Sequence, residues 1–304
     1  MPNAPSAAPA PIVVSHDVMI PMRDGVRLAT DLYRPATADG EPAPGRFPVI
    51  LTRTSYDKSN PVMQVKPVGE FFARRGYAVA VQDLRGRGHS EDVGNYHHRA
   101  NPLEGPDGYD TIEWLAAQGW SNGRVGMVGT SHSASVQNVA ALQRPPHLAA
   151  MWIDSSPTSA FDWEARRGGA MAMQMIPALF VHASDAPEIR DDAAARARIE
   201  WGGMNLRAFL KSMPFKPGQT PLAAVPNLER ILFRYACDGT RNEWWSQETL
   251  EYKTRWEKFA DVPLVLSTGW YDLFTEEVVM QFAALAAQNK SPVKLIVGPW
   301  NHTA

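Results

Sequence analysis

A chain of 304 residues is long for one compact core and short for three, so one domain carrying an insertion suits it best. Hydrophobic residues make up 44% and charged residues 20%, a soluble globular balance, and 30 Lys+Arg against 32 Asp+Glu leave a formal charge of −2. That near-neutrality excludes a strong field for nucleic acid or acidic membranes, and a single cysteine, Cys237, excludes an intrachain disulfide.

The opening stretch Met1–Pro11 is rich in Pro and Ala. It lacks a basic n-region and an apolar h-region, so a disordered leader is expected rather than a secretory signal, with a cytoplasmic location. No apolar run approaches the ~20 residues a membrane helix requires.

Alternating or continuous apolar runs predict strands at Ile12–Met22, Val26–Tyr33, Phe47–Arg53, Tyr77–Asp83, Val125–Gly129, Leu148–Asp154, Val262–Thr268 and Val293–Val297. The turn signal Arg23-Asp24-Gly25 makes the first two a hairpin. Helical patterns at Gly69–Arg75, Asp107–Gln118, Ser133–Leu142 and Glu276–Gln288 alternate with the later strands. This order predicts an α/β fold: a mostly parallel central sheet flanked by helices. The stretch Ser155–Leu250 breaks the rhythm. It predicts helices at Glu188–Trp201 and Leu206–Met213, with Pro214–Pro226 as a connector. The expected division is core over 1–154, helical cap insertion over 155–250, and core again over 251–304.

The segment Val125-Gly126-Met127-Val128-Gly129-Thr130-Ser131-His132-Ser133-Ala134 runs from an apolar strand through small residues into an apolar helix. A nucleophilic serine on a sharp strand-to-helix turn needs small neighbours, because the helix passes close to the strand it has just left. Ser131 is the candidate nucleophile, although Ser133 stands where a strict Gly-x-Ser-x-Gly has its second glycine. The N–H of His132 is a candidate oxyanion donor. Later strands are followed by Gly269-Trp270-Tyr271-Asp272 and by Gly298-Pro299-Trp300-Asn301-His302. In the α/β-hydrolase fold acid and base follow the serine in that order, so Asp272 and His302 complete the candidate triad and the expected fold is of the α/β-hydrolase type. Asp154 and Asp162 are alternative acids.

Several features carry a blander reading. His97 and His98 are adjacent, but no Cys or HExxH-type spacing accompanies them, so no metal is expected. Gly86 and Gly88 lack the order of a dinucleotide fingerprint, and no organic cofactor is expected either. The His132 side chain should leave the turn away from the base. Trp244, Trp245 and the Met-rich run Ala170–Met175 suit core packing as well as an acyl pocket.

At these residues the chain resembles the cocaine esterase / X-prolyl dipeptidyl-peptidase family, which includes α-amino-acid ester hydrolases and cephalosporin acylases. The opening hairpin Met22–Leu28 with Asp31-Leu32-Tyr33, the segment Arg53-Thr54-Ser55-Tyr56, the run Asp83–Ser90 and the Asp272 and His302 motifs are similar to that family's. Glu104, Asp107, Asp110 and Trp114 also fit its pattern, as scaffold. The resemblance implies that Tyr56 donates its hydroxyl to the oxyanion, and a small-molecule ester or amide as substrate. Ester hydrolysis is favoured, with dipeptidyl-peptidase or acylase activity as one alternative and a silent hydrolase-fold binding module as another. Trp163, Trp270 and Trp300 are candidate pocket residues, and self-association into a homo-oligomer is a further expectation. Two departures stand out. Relatives carry Ser-Tyr-x-Gly where this chain has Ser131-His132-Ser133-Ala134. The family also continues after the histidine into a β-rich jelly-roll domain, so a chain ending at Ala304 is expected to be a fragment.

Overall fold

The computed structural model describes residues 10–60 and 65–302, so nearly all of the proline-rich leader lies outside the described residues. Eight strands form one sheet: β1 (Ile12–Pro21), β2 (Arg27–Pro35), β3 (Phe47–Thr54), β4 (Ala78–Asp83), β5 (Ser121–Thr130), β6 (Leu148–Asp154), β9 (Leu264–Tyr271) and β10 (Val293–Asn301). Their spatial order is β1-β2-β4-β3-β5-β6-β9-β10. The β1–β2 hairpin is antiparallel and joins β4 antiparallel, whereas every pair from β4 through β10 is parallel. Each strand anticipated from the apolar runs is present. Parallel strands covered on both faces have few polar positions, which is why they read as continuous apolar runs.

Helices α1 (Val65–Ala73), α2 (Glu104–Ala116), α3 (His132–Leu142) and α8 (Thr275–Gln288) supply the crossovers. α1 begins four residues before the expected Gly69–Arg75 pattern. α3 is buried along its whole length, which only a helix between the sheet and other helices can be. Leu51, Val125, Ile153 and Leu266 lie fully buried in the sheet's core cluster. Each such side chain contributes about 1.5–3 kcal/mol by leaving water.

Between β6 and β9 the chain builds a second apolar cluster. It carries α4 (Met175–Ser184), α5 (Ala193–Met204), α6 (Leu206–Leu210) and α7 (Pro226–Cys237), with the short antiparallel pair β7 (Arg166–Arg167) and β8 (Ala170–Met171) before them. Two expectations need correction here. Glu188–Trp201 is not one helix: a short turn ends at Ile189, and Asp192 then caps α5 through the Ala195 N–H. Pro226 does not end the connector but opens α7, since proline at a first helical position loses no hydrogen bond. Among the described residues no helix is long and apolar enough to cross a membrane.

Candidate active site

The β5–α3 junction is sharp. Ser131 has φ 60° and ψ −122°, a backbone conformation that non-glycine residues rarely adopt. The turn is held by Ser131 N–H donating to the Asp154 carbonyl, 3.0 Å, and by the Ser131 carbonyl accepting from Ala134 and Ser135, 3.0 Å each. A Cβ at Gly129 would stand 2.7 Å from the Ser133 carbonyl and 2.8 Å from the Ser133 Cβ. Glycine is therefore required where strand and returning helix pass. Gly129→Ala is expected to lose about 1–3 kcal/mol of stability by overpacking. Because the displaced helix follows directly on Ser131 and carries His132, any reactivity of the serine should fall too, and a thermal melt beside covalent labelling of Ser131 checks both effects.

Two further loops bring partners to Ser131. Asp272 follows β9 directly and His302 follows β10, at the C-terminal ends of adjacent parallel strands. His302 Nε2 lies 2.9 Å from Ser131 Oγ, and His302 Nδ1 lies 2.8 Å from Asp272 Oδ2. The other Asp272 oxygen accepts the Phe274 N–H at 2.6 Å. Burial pushes the Asp272 carboxyl up, but His302 and the Phe274 N–H outweigh it and hold it below its ordinary value. The Phe274 ring meets the imidazole edge-on, 5.6 Å between centroids, and fixes its plane. Trp300 lies over Gly298, where an added Cβ would stand 1.6 Å from the indole, so the residues before His302 pack tightly.

Tyr56 reaches the same point from the loop after β3. Burial pushes the pKa of its hydroxyl up and keeps it a phenol, while Ser131 and the His132 backbone nearby pull it the other way. The loop is pinned by Arg87, which donates to the Ser55 carbonyl at 2.7 Å and pairs with Asp185 at the end of α4. The Tyr56 ring stacks on His182, 4.9 Å between centroids and 17° between planes.

The alternative acids are engaged elsewhere. Asp154 accepts from Thr130 Oγ1 at 2.9 Å and Ser267 Oγ at 2.6 Å. Asp162 pairs with Arg241 at 2.7 Å and with Lys253. The His132 side chain turns away from His302 and meets Ser55 Oγ at 2.9 Å. Arg85 pairs bidentately with Asp107, 2.7 and 3.0 Å, which fixes the loop after β4 to α2. Of the pocket candidates, Trp163 lies half-buried beneath the Arg167 guanidinium, Trp300 is half-buried, and Trp270 is 65% exposed. Trp245 is wholly buried in the second apolar cluster.

Glu277, at the start of α8, was not singled out from the sequence. It accepts from Thr158 N–H at 2.9 Å, Thr158 Oγ1 at 2.8 Å and Ser159 N–H at 3.0 Å. These bonds tie the start of the insertion to the helix that follows Asp272. Arg167 adds a second tie by donating to the Leu273 carbonyl.

A mostly parallel sheet in this strand order, with a strained serine at the turn after its fifth strand, defines an α/β-hydrolase fold. Residues 24–304 match the X-Pro dipeptidyl-peptidase (S15) family, and the chain belongs to that family. It is 33% identical to the cocaine esterase of Rhodococcus sp. (strain MB1 Bresler), an alignment covering 95% of this chain and 49% of that protein. A CocE/NonD family hydrolase from Staphylococcus aureus superposes with a TM-score of 0.69 at 21% identity, covering 95% of this chain and 46% of the other. An α-amino acid ester hydrolase superposes with a TM-score of 0.68 at 23% identity, covering 100% of this chain and 50% of the other. The chain spans about half the length of the curated relatives it matches.

Proposed function

We propose that this chain carries the catalytic machinery of a serine hydrolase that cleaves small-molecule carboxylic esters through an acyl-serine intermediate. The observation that carries this reading is the continuous relay from Asp272 through His302 to Ser131 Oγ, with both hydrogen bonds under 3.0 Å. A serine hydroxyl is a weak nucleophile until a base within hydrogen-bond reach takes its proton.

In the acylation step Ser131 Oγ attacks the ester carbonyl and His302 Nε2 takes its proton. Asp272 holds Nδ1 protonated and stabilises the imidazolium. The carbonyl oxygen becomes an oxyanion, which the Tyr56 hydroxyl and the His132 N–H receive. Collapse breaks the ester C–O bond, and His302 returns its proton to the leaving alkoxide. Water then attacks the acyl-serine by the same route, giving the free acid and restoring Ser131.

Ester cleavage is favoured over aminoacyl or dipeptide substrates because a free α-amino group needs an unpaired carboxylate. Asp162 and Glu251, the carboxylates met at the start of the insertion and at its return, already pair with Arg241. Hydrolysis of a short p-nitrophenyl ester, with a burst equal to one acyl group per chain, tests the reading. Slow turnover without a burst, or none, would favour a silent hydrolase-fold binding module.

Tyr56→Phe separates the oxyanion role from packing. It keeps the ring stacked on His182 and deletes only the hydroxyl. A loss of about 10²–10³ in kcat with little change in KM is expected, because one oxyanion donor acts chiefly in the transition state. An unchanged kcat would reduce Tyr56 to a packing residue.

A further inference from the structure

Three histidines that the triad does not use converge beside it. His98 lies in the loop after β4, His132 opens α3, and His182 lies on α4. They are 3%, 4% and 1% exposed, and a ring nitrogen from each lies within 4.8 Å of the others. All three Nδ1 atoms also face one oxygen, the Tyr96 hydroxyl, at 3.4, 3.3 and 3.2 Å respectively. His98 is set aside in the sequence for want of partners at metal-binding spacing. Folding supplies them from two other elements.

Hydrogen bonding accounts for part of this cluster: His132 Nδ1 lies 2.9 Å from Ser55 Oγ, and the Tyr96 hydroxyl can donate to one imidazole while accepting from the N–H of another. Two of the three separations exceed the usual 2.7–3.2 Å of an N–H···O bond. The Nε2 atoms of His98 and His132 are buried without a hydrogen-bond partner. Buried polar atoms are nearly always satisfied, so the rings as they stand leave polar capacity unused.

Metal coordination fits the same distances. Four donors at about 2.0–2.1 Å around a tetrahedral ion stand about 3.3–3.4 Å apart. The three Nδ1–Oη separations already have that length, and modest ring rotations would bring the nitrogens to it. Burial also keeps the rings neutral, with His98 held down to about 3, the form a metal requires, and His132 would exchange its Ser55 contact for the ion. Glu164 Oε1 lies 3.9 Å from His98 Nε2, on the side away from the convergence point. A carboxylate there is the usual outer partner of a metal-bound imidazole.

We propose that His98, His132 and His182, with the Tyr96 hydroxyl as fourth donor, form a buried site for Zn²⁺ or a similar imidazole-preferring divalent ion. The donor set is three imidazoles and one oxygen with no thiolate, which suits Zn²⁺, Ni²⁺ or Cu²⁺. The ion would touch neither Ser131 Oγ nor His302. It would staple the β4 loop, the elbow helix and the insertion together, and through His182 it would support the Tyr56 ring. Its role is therefore structural, and its test does not depend on ester hydrolysis.

The test uses the untagged 304-residue chain, refolded with Zn²⁺ or Co²⁺ and then desalted. Elemental analysis should find one retained metal per chain. The Co²⁺ form should show the intense visible absorption of tetrahedral N/O coordination, and both metals should raise the melting temperature. His98→Gln and His182→Gln should each lose the retained metal and the Co²⁺ spectrum while keeping the wild-type far-UV circular dichroism. No stoichiometric metal on the wild type, or a weak octahedral Co²⁺ spectrum, overturns the proposal without reference to any variant. Undiminished retention by both folded variants overturns it equally.

Discussion

Ser131→Ala is expected to lower kcat for ester hydrolysis by about 10⁴–10⁶, the loss typical when a triad member is removed. The fold should hardly notice. Ser131 Oγ is bonded within the site, to His302, while the turn is held by backbone hydrogen bonds that alanine keeps. Alanine also inherits the strain at φ 60°, because the strain arises from Cβ. This gives a companion test. Glycine ordinarily costs about 0.5–1 kcal/mol relative to alanine in regular structure, but here Ser131→Gly should be at least as stable as Ser131→Ala. Thermal melts of the two inactive variants decide it. If Ser131→Ala keeps a substantial share of wild-type kcat, the nucleophile is misassigned.

Asp272→Asn should lower kcat about 10⁴-fold at neutral pH while the protein stays folded. The carboxylate holds the proton of His302 on Nδ1, leaving Nε2 free to take the Ser131 proton. An asparagine amide facing Nδ1 favours the opposite tautomer, with the proton on Nε2. Proton linkage makes a second readout. Asp272 is held below its ordinary value of 3.8, so in the native state it binds fewer protons than in the unfolded chain. Its contribution to stability is complete above 3.8 and is lost as the pH falls through the lowered native value. The stability gap between wild type and Asp272→Asn should therefore narrow in acid. A gap that widens as the pH falls would contradict the hydrogen-bonded carboxylate, and an active Asp272→Asn would return Asp154 to consideration.

The sheet was legible in the sequence for a physical reason. Buried parallel strands such as Val125–Gly129 and Leu264–Leu266 need apolar side chains on both faces, and turn residues punctuate them. The triad candidates were legible because each immediately follows such a strand, and the structure brings Ser131 and Asp272 each within hydrogen-bond reach of His302. The insertion was less so. Its helices pack on one another more than on the sheet, and Pro226 reads as a helix breaker until its position at the first turn of α7 is known. Glu277 was invisible, since a helix-opening glutamate is an ordinary surface choice, yet here it is fully buried and accepts three hydrogen bonds. The histidine cluster was least legible of all. Its members come from three elements that only the tertiary fold brings together.

The central claim is that Ser131 is an activated nucleophile, and covalent labelling tests it most directly. The chain should be treated with a fluorophosphonate probe, digested, and mapped by mass spectrometry. The account predicts one adduct per chain, on the peptide carrying Ser131, and none on Ser131→Ala under the same conditions. It also predicts much slower labelling of Asp272→Asn, whose His302 is held in the wrong tautomer. No adduct on the folded wild-type chain, or an adduct on another serine such as Ser133 that persists in Ser131→Ala, would contradict it.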